Sequence, residues 1–421
     1  MHIRLKTKLE TKKRRAAMRC CVLEVKIDKS HLSKKVLNHL DKLFLEAKWF
    51  YNHCVANASD LSTINATKTR SVPVLTPDGP EERTFTVLSS QMRQGIHERT
   101  WTNLKSLKAL KDAGFQIGPL GYKPVINCIP LKQFGLTYKF NKENNRIRLQ
   151  GLQTWLRTCG LEQIPDKAEI ANAHLTRKCG DYFLKVTTYS EREVKTTEGT
   201  VGIDFGCGTQ MVLSNGIGIK FGVEVPKTVR RLDHTVARKR RGKGKKYWSG
   251  KYGKALVSRE KAYAHVVNQR RDIRNKVVSV LTKAFGTICV QDESIKAWQA
   301  SGHGKSISKS GIGGITAALQ HKAATPVLVD KFFPSTKTCS SCGIKKKMKI
   351  GDRTYICPAC GHTQDRDWNS AINILQEGLK LPAERRTIPP EEEASSLMEL
   401  LNRIPGVTAK LLPAKGEAAA L

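Results

Sequence analysis

The sequence predicts a multidomain protein of mixed class: a small β-domain with an all-helical insertion, then an α/β domain carrying a four-cysteine ribbon. Three observations carry that reading. At 421 residues the chain is too long for one ordinary hydrophobic core. Its apolar periodicity switches from alternation to steps of three and four, and back again. Two C-x-x-C pairs, Cys339/Cys342 and Cys357/Cys360, stand fourteen residues apart.

Residues 1–17 read as a basic arm, densest from Lys12 to Arg15. Met18 to Ile27 is apolar and β-branched enough for a strand. Ser30 is placed to cap a helix in which Leu32, Val36, Leu40, Leu43, Ala47, Phe50, Tyr51 and Cys54 recur at steps of three and four. Asn57 to Thr86 is polar, contains three prolines, and reads as a long loop. A second helix follows Ser89 and ends at Gly114. Gly135–Leu149 and Ala171–Tyr189 each hold two alternating runs around a polar turn, the mark of a hairpin. The first part therefore divides into a β-domain (18–29 and 120–198) and a helical insertion (30–119).

Beyond Thr200 a short strand ends on Asp204, and Met211–Ser214 follows after a Gly-rich turn. Pro226 to Ala284 is helical, interrupted at Gly242–Gly253. Gly286–Gln291 is a buried strand delivering Asp292 and Glu293, and Pro326–Phe332 is another strand. Strands alternating with helices argue for an α/β domain over 199–332 and 362–378, with the ribbon (333–361) inserted. Residues 379–421 are rich in Pro and Glu and are expected to form a disordered tail.

Lys and Arg total 73 against 37 acids, a net charge of +36, which demands a polyanionic partner. The excess peaks in residues 227–276, with eighteen Lys/Arg and three acids. There Arg238, Lys239, Arg240, Arg241, Lys243, Lys245 and Lys246 lie beside Tyr247, Trp248 and Tyr252. Cations for phosphates with aromatics for bases suit a nucleic-acid strand; a solvated helical face is the blander reading. No run of 18 apolar residues offers a membrane span, and the N-terminus has no apolar secretory segment. Twelve cysteines are too sparse for a disulfide scaffold, so a cytoplasmic location is expected. Asp204-Phe205-Gly206 spells a kinase magnesium motif, but no other kinase signature accompanies it.

Each C-x-x-C pair can form a tight knuckle, and Gly343 and Gly361 follow where such a turn wants positive φ. Four thiolates leave no open position, so the expected Zn2+ at Cys339, Cys342, Cys357 and Cys360 is structural. Carboxylates are scarce, and those at strand ends stand out: Asp204, Glu293 and, at the start of a helix, Asp367. Meeting at one end of a sheet, they could hold two divalent ions against a phosphodiester. Equally, Asp204 could be a turn residue, Asp367 a helix cap, and Glu293 a surface acid paired to a base.

Together, VGIDFGCGTQMVLSNG, ICVQDESIKAWQ, PSTKTCSSCG and CPACGHTQDRDWNSAINIL resemble transposon-encoded TnpB proteins and the related compact type V CRISPR effectors. The resemblance is specific over about 200–375. It implies a RuvC-like, RNase H-like nuclease domain with an inserted zinc ribbon, preceded by a wedge-like β-barrel interrupted by a helical recognition domain. It implies a magnesium site in which Asp204, Glu293 and Asp367 match the family's three catalytic acids, with Asp292 an alternative to Glu293. Asp367-Trp368-Asn369-Ser370-Ala371 fits the family's Asp-x-Asn-Ala-Ala with one Ser. Arg366 resembles a position near the scissile phosphate. The implied protein is an RNA-guided DNA endonuclease of the prokaryotic cytoplasm, a monomeric ribonucleoprotein with a guide RNA and double-stranded target DNA as partners. A nuclease-inactive RNA-guided regulator and a compact CRISPR effector are the alternatives.

Overall fold

The computed structural model describes residues 2–191, 197–206, 208–240, 249–298, 304, 311–349, 351–380 and 391–413. They divide into two compact units, 1–193 and 194–421.

In the first unit the basic arm is a helix, α1 (His2–Ala16). Arg14 and Arg15 each reach Glu169 at 2.6 Å, and Arg15 also lies over the Tyr189 ring. β1 (Arg19–Ile27) leads into α2 (Lys34–Ala56). The cap of α2 is Ser33, not Ser30, because Asp28 already takes Ser30 into a short turn of its own. The apolar stripe of α2 is buried as its spacing predicts. The stretch read as a loop contains a hairpin, β2 (Ser71–Thr76) and β3 (Gly79–Thr84), turning at Gly79 with φ +118°. Its Val72 is fully buried in the core that α2 shares. α3 (Ser90–Asp112) is capped by Ser89 and followed by left-handed Gly114, as expected. Between α2 and α3, fully buried Glu46 accepts hydrogen bonds from Thr86, Val87 and Leu88 backbone N–H groups and from the Thr86 hydroxyl.

β4 (Cys128–Leu131), β5 (Tyr138–Asn141), β6 (Arg146–Leu149), β7 (Leu156–Cys159), β8 (Glu169–Lys178) and β9 (Asp181–Ser190) complete the unit. Both expected hairpins are present; β8 and β9 turn on Cys179 and Gly180, at φ +53° and +79°. The strands form one antiparallel sheet in the order β4-β8-β9-β1-β7-β6-β5. Among the described residues no ladder joins β4 to β5, so the expected barrel is an open sheet by its pairing.

The second unit has β10 (Thr200–Phe205), β11 (Met211–Leu213), β12 (Ile217–Phe221), α4 (Lys227–Lys239), α5 (Gly250–Ala284), β13 (Thr287–Gln291) and α6 (Ile295–Trp298). α7 (Ile312–Lys322), β14 (Thr325–Val329), β15 (Thr354–Ile356), β16 (Thr363–Asp365), α8 (Arg366–Leu379), α9 (Glu391–Asn402) and β17 (Val407–Leu411) follow. β10, β11 and β12 run antiparallel; β13 and β14 continue the sheet parallel to β10. β14 stops at Val329 rather than at Phe332, since residues 330–333 turn away.

Alternation along β10 sends Val201 and Ile203 to one face, where they pack with residues of α5, α7 and α9. Gly202 and Asp204 therefore point to the other face, which α8 covers. The segment expected to be a disordered tail instead supplies structure over 391–411. Leu397, Leu401 and Ile404 enter the core, and β17 pairs with β12 from Phe221↔Val407 to Ile217↔Leu411. No helix among the described residues is long and apolar enough to cross a membrane.

Candidate active site

Close packing of α8 on β10 assembles the site. A Cβ on Gly202 would run into Ala371 O and lie 2.7 Å from Leu375 N, so glycine alone allows this approach. At the other edge the Trp368 indole N–H donates to Ser214 O at 2.9 Å, with its ring over Gly216 (φ +86°). Thus seated, the helix sets fully buried Ser370 against Asp204, donating its hydroxyl to Oδ1 at 3.0 Å.

Asp365, not Asp367, is the helix cap: its carboxylate accepts the Asp367 and Trp368 N–H groups at 2.9 and 3.0 Å. The Asp367 carboxylate is left for other partners. Arg366 Nε donates to Oδ1 at 3.0 Å, and Arg353 lies 3.9 Å from Oδ2. β13 pairs in parallel with β10 at Ile203↔Val290, so Glu293 emerges at the sheet end where Asp204 sits.

The charges of both other acids reach Asp204. The Asp204 carboxyl is held well above its usual range by burial, then by the Asp367 charge and the Glu293 charge, against the Ser370 hydrogen bond and Arg366. Burial, helped by Asp292, pushes Glu293 up to about 7. Asp292 is exposed, and the second acid whose charge reaches Asp204 is Glu293. Among the described residues only the four cysteines bring ligand atoms within 4.8 Å of one another; the three carboxylates spread wider.

The cysteine cluster could hold a zinc ion. Cys339 and Cys360 Sγ atoms lie 3.7 Å apart, Cys342 and Cys357 3.5 Å. All four ligand atoms lie within 4.8 Å of one another, and the two shorter separations are close to the edge of about 3.8 Å in a tetrahedron with Zn–S bonds of about 2.3 Å. Gly343 and Gly361 close the knuckles at φ +77° and +69°, donating to Cys339 O and Cys357 O.

Sequence reasoning missed a row of buried amides on α8. Asn369 accepts Ser340 N–H at 2.9 Å and donates to Thr338 O at 2.8 Å. Asn373 donates to Ser335 O and Thr338 O at 2.8 and 2.7 Å, and Gln376 to Ser340 O at 3.1 Å. Their i, i+4, i+7 spacing, directly after a metal ribbon, was the available signal. The helix that carries Asp367 thereby grips the first zinc knuckle.

Of the basic run, Arg238, Lys239 and Arg240 are exposed at the end of α4. Arg241, Lys243, Lys245 and Lys246, with Tyr247 and Trp248, lie outside the described residues. Tyr252 is not free to stack on a base: it is buried with Val236 and Ala255 between α4 and α5.

Residues 314–374, spanning the ribbon and most of α8, match the family model described as Cas12f1-like, TNB domain. The chain is 28% identical over 241 residues to the "Putative RNA-guided DNA endonuclease" of Streptomyces pristinaespiralis, covering 55% of this chain and 59% of that one. It is 33% identical over 132 residues to "TnpB-like protein L79" of Acanthamoeba polyphaga mimivirus, covering 28% of this chain and 25% of that one. With "Putative RNA-guided DNA endonuclease InsQ" of Escherichia coli (strain K12) it shares 25% identity over 265 residues, covering 57% and 64%. In each case the match spans less than two thirds of the relative's length. The domain match over the cysteine ribbon, with relatives bearing these names, makes the chain similar to TnpB-like proteins and to putative RNA-guided DNA endonucleases over part of its length.

Proposed function

We propose that the chain is an RNA-guided DNA endonuclease with a RuvC-like site: it binds a guide RNA and hydrolyses complementary double-stranded DNA at Asp204, Glu293 and Asp367. The observation that carries this reading is the Asp204 carboxylate, held by Ser370 at the sheet end that Glu293 also reaches and disfavoured as a charge by burial and by Asp367 and Glu293, in a chain of net charge +36. Asp204 and Glu293 are costly to ionise unless cations join them, and the hard oxygen donors of the three acids fit magnesium as the four thiolates fit zinc. Asp204, Glu293 and Asp367 would hold magnesium, which when bound would supply charge stabilisation to the attacking and leaving oxygens of a phosphodiester.

The chain's own groups do the rest. Asp204, whose charge feels both other acids, would be one of the metal's ligands, and Ser370 fixes the orientation of its carboxylate. Glu293, with a proton affinity near neutrality, is suited to orient the attacking water and accept its proton. Arg366 and Arg353 steady Asp367 and bring positive charge to where a phosphate must enter. Exposed Arg238, Lys239 and Arg240 extend that charge along the nucleic acid.

The test is direct. The chain is purified with its bound RNA, given matching DNA and magnesium, and compared with Asp204→Asn. The wild type is expected to cut and the variant to bind target without cutting. A wild type that binds but never cuts sinks the enzyme reading, and absence of any defined RNA sinks the guide.

A further inference from the structure

Immediately after β14 (Thr325–Val329) the chain makes a turn that is tied down from several sides. Buried Gln291, at the end of β13, donates its side-chain amide to Asp330 O at 3.1 Å and Phe333 O at 2.7 Å, while its Oε1 accepts the Ser335 hydroxyl at 2.9 Å. Asp330 Oδ1 accepts Phe332 N–H at 2.7 Å, and Phe333 N–H closes onto Asp330 O. All this order serves a ring left in water: Phe332 is 80% exposed. Lys331 holds its ammonium 4.8 Å from the centre of that ring.

The position matters. Gln291 pairs with Val329 and Val290 with Ile203, so the turn begins at the same sheet end as Asp204, two strands across. At about 4.8 Å per strand that is on the order of 10 Å, one or two nucleotides along an extended strand. A rigidly presented phenylalanine beside the acids forgoes the burial that ordinarily stabilises such a ring.

We propose that Phe332, with Lys331, is a stacking platform for an unpaired base of the DNA strand that enters the acidic site. The inference rests on the nuclease reading above and adds to it a residue that positions the strand at the site. An aromatic face accepts any base, and Lys331, Arg353 and Arg366 match the adjoining phosphates, so recognition is independent of sequence.

The experiment uses the full chain with magnesium omitted and a single-stranded DNA carrying 2-aminopurine at successive positions. Wild type is expected to quench the probe at one or two neighbouring positions. Phe332→Ala is expected to abolish that quenching and weaken binding by about five- to a hundredfold, while Phe332→Tyr keeps both. Zinc content and melting temperature confirm that each variant is folded. If no position is quenched by wild type, or Phe332→Ala quenches and binds as wild type does, the platform is refuted and the ring belongs to a protein contact. Cleavage with magnesium is scored separately. Loss of quenching in Phe332→Ala beside an inactive wild type overturns only the enzyme reading; wild-type quenching and cutting by Phe332→Ala overturn only the platform.

Discussion

At the scale of single residues, the metal-free site works against its own fold. Glu293 titrates at about 7, above an ordinary value of 4.5, because burial and then Asp292 disfavour its charge. The folded chain therefore binds this proton more tightly than the unfolded one. Its stabilising contribution is complete below about pH 4.5 and lost as pH rises through about 7. The span is worth at most about 3 kcal/mol, and Asp204 is shifted in the same direction. Without divalent ions, Glu293→Gln is expected to melt higher than wild type at about pH 8, with a difference that shrinks toward about pH 6. Magnesium should raise the wild-type melting temperature more than that of the variant. Melting curves indifferent to magnesium in both proteins would remove the support for a metal site at these acids.

At the scale of elements, α8 (Arg366–Leu379) joins the acids to the ribbon, and it shows what a sequence does and does not disclose. The two knuckles were legible because ligation by four sulfurs restricts spacing and demands left-handed turns, which Gly343 and Gly361 adopt. Of the apolar residues on this helix, Ala371, Ile374 and Leu375 are buried while Ile372 is only half-buried. Asn369, Asn373 and Gln376 were not legible, since amides ordinarily read as a solvated face, and only the arriving loop 335–340 supplies their partners. Likewise Ser30 and Ser33 are equally good caps in isolation; the Asp28 turn decides between them. The site acids were placed by resemblance more than by pattern, and the cap at Asp365 is a contact between neighbours that spacing alone left open. Asn373→Ala would leave Ser335 O and Thr338 O without this donor at a cost of about 1–3 kcal/mol. It is expected to lower the melting temperature and speed zinc loss to a chelator, followed with a colorimetric zinc dye. Unchanged zinc release would mean that the helix does not brace the knuckle.

At the scale of the whole molecule, composition misdirects at the C-terminal end. Residues 376–421 hold six Lys/Arg against seven acids, so the +36 resides entirely before them, and their prolines and glutamates look like a solvated tail. Yet Val407, Ala409 and Leu411 alternate as a strand should, and β17 covers the edge that β12 would otherwise expose. Leu397, Leu401, Ile404 and Val407 are buried in the same core as Val201 and Ile203 of β10. At about 1.5–3 kcal/mol each, these four side chains contribute roughly 6–12 kcal/mol. A domain is stable by only about 5–15 kcal/mol. A chain ending at Lys380 is therefore expected to lose the second unit's fold although every proposed catalytic acid and zinc ligand is retained. Measured by thermal melting and light scattering, it should aggregate or show no cooperative transition for that unit. The milder Leu401→Ala, which removes one fully buried side chain, should cost about 2–5 kcal/mol. A truncated chain that stays monodisperse and melts as the full one does would show that β12 and the core beneath it are self-sufficient, and that the segment 391–413 merely rests on them.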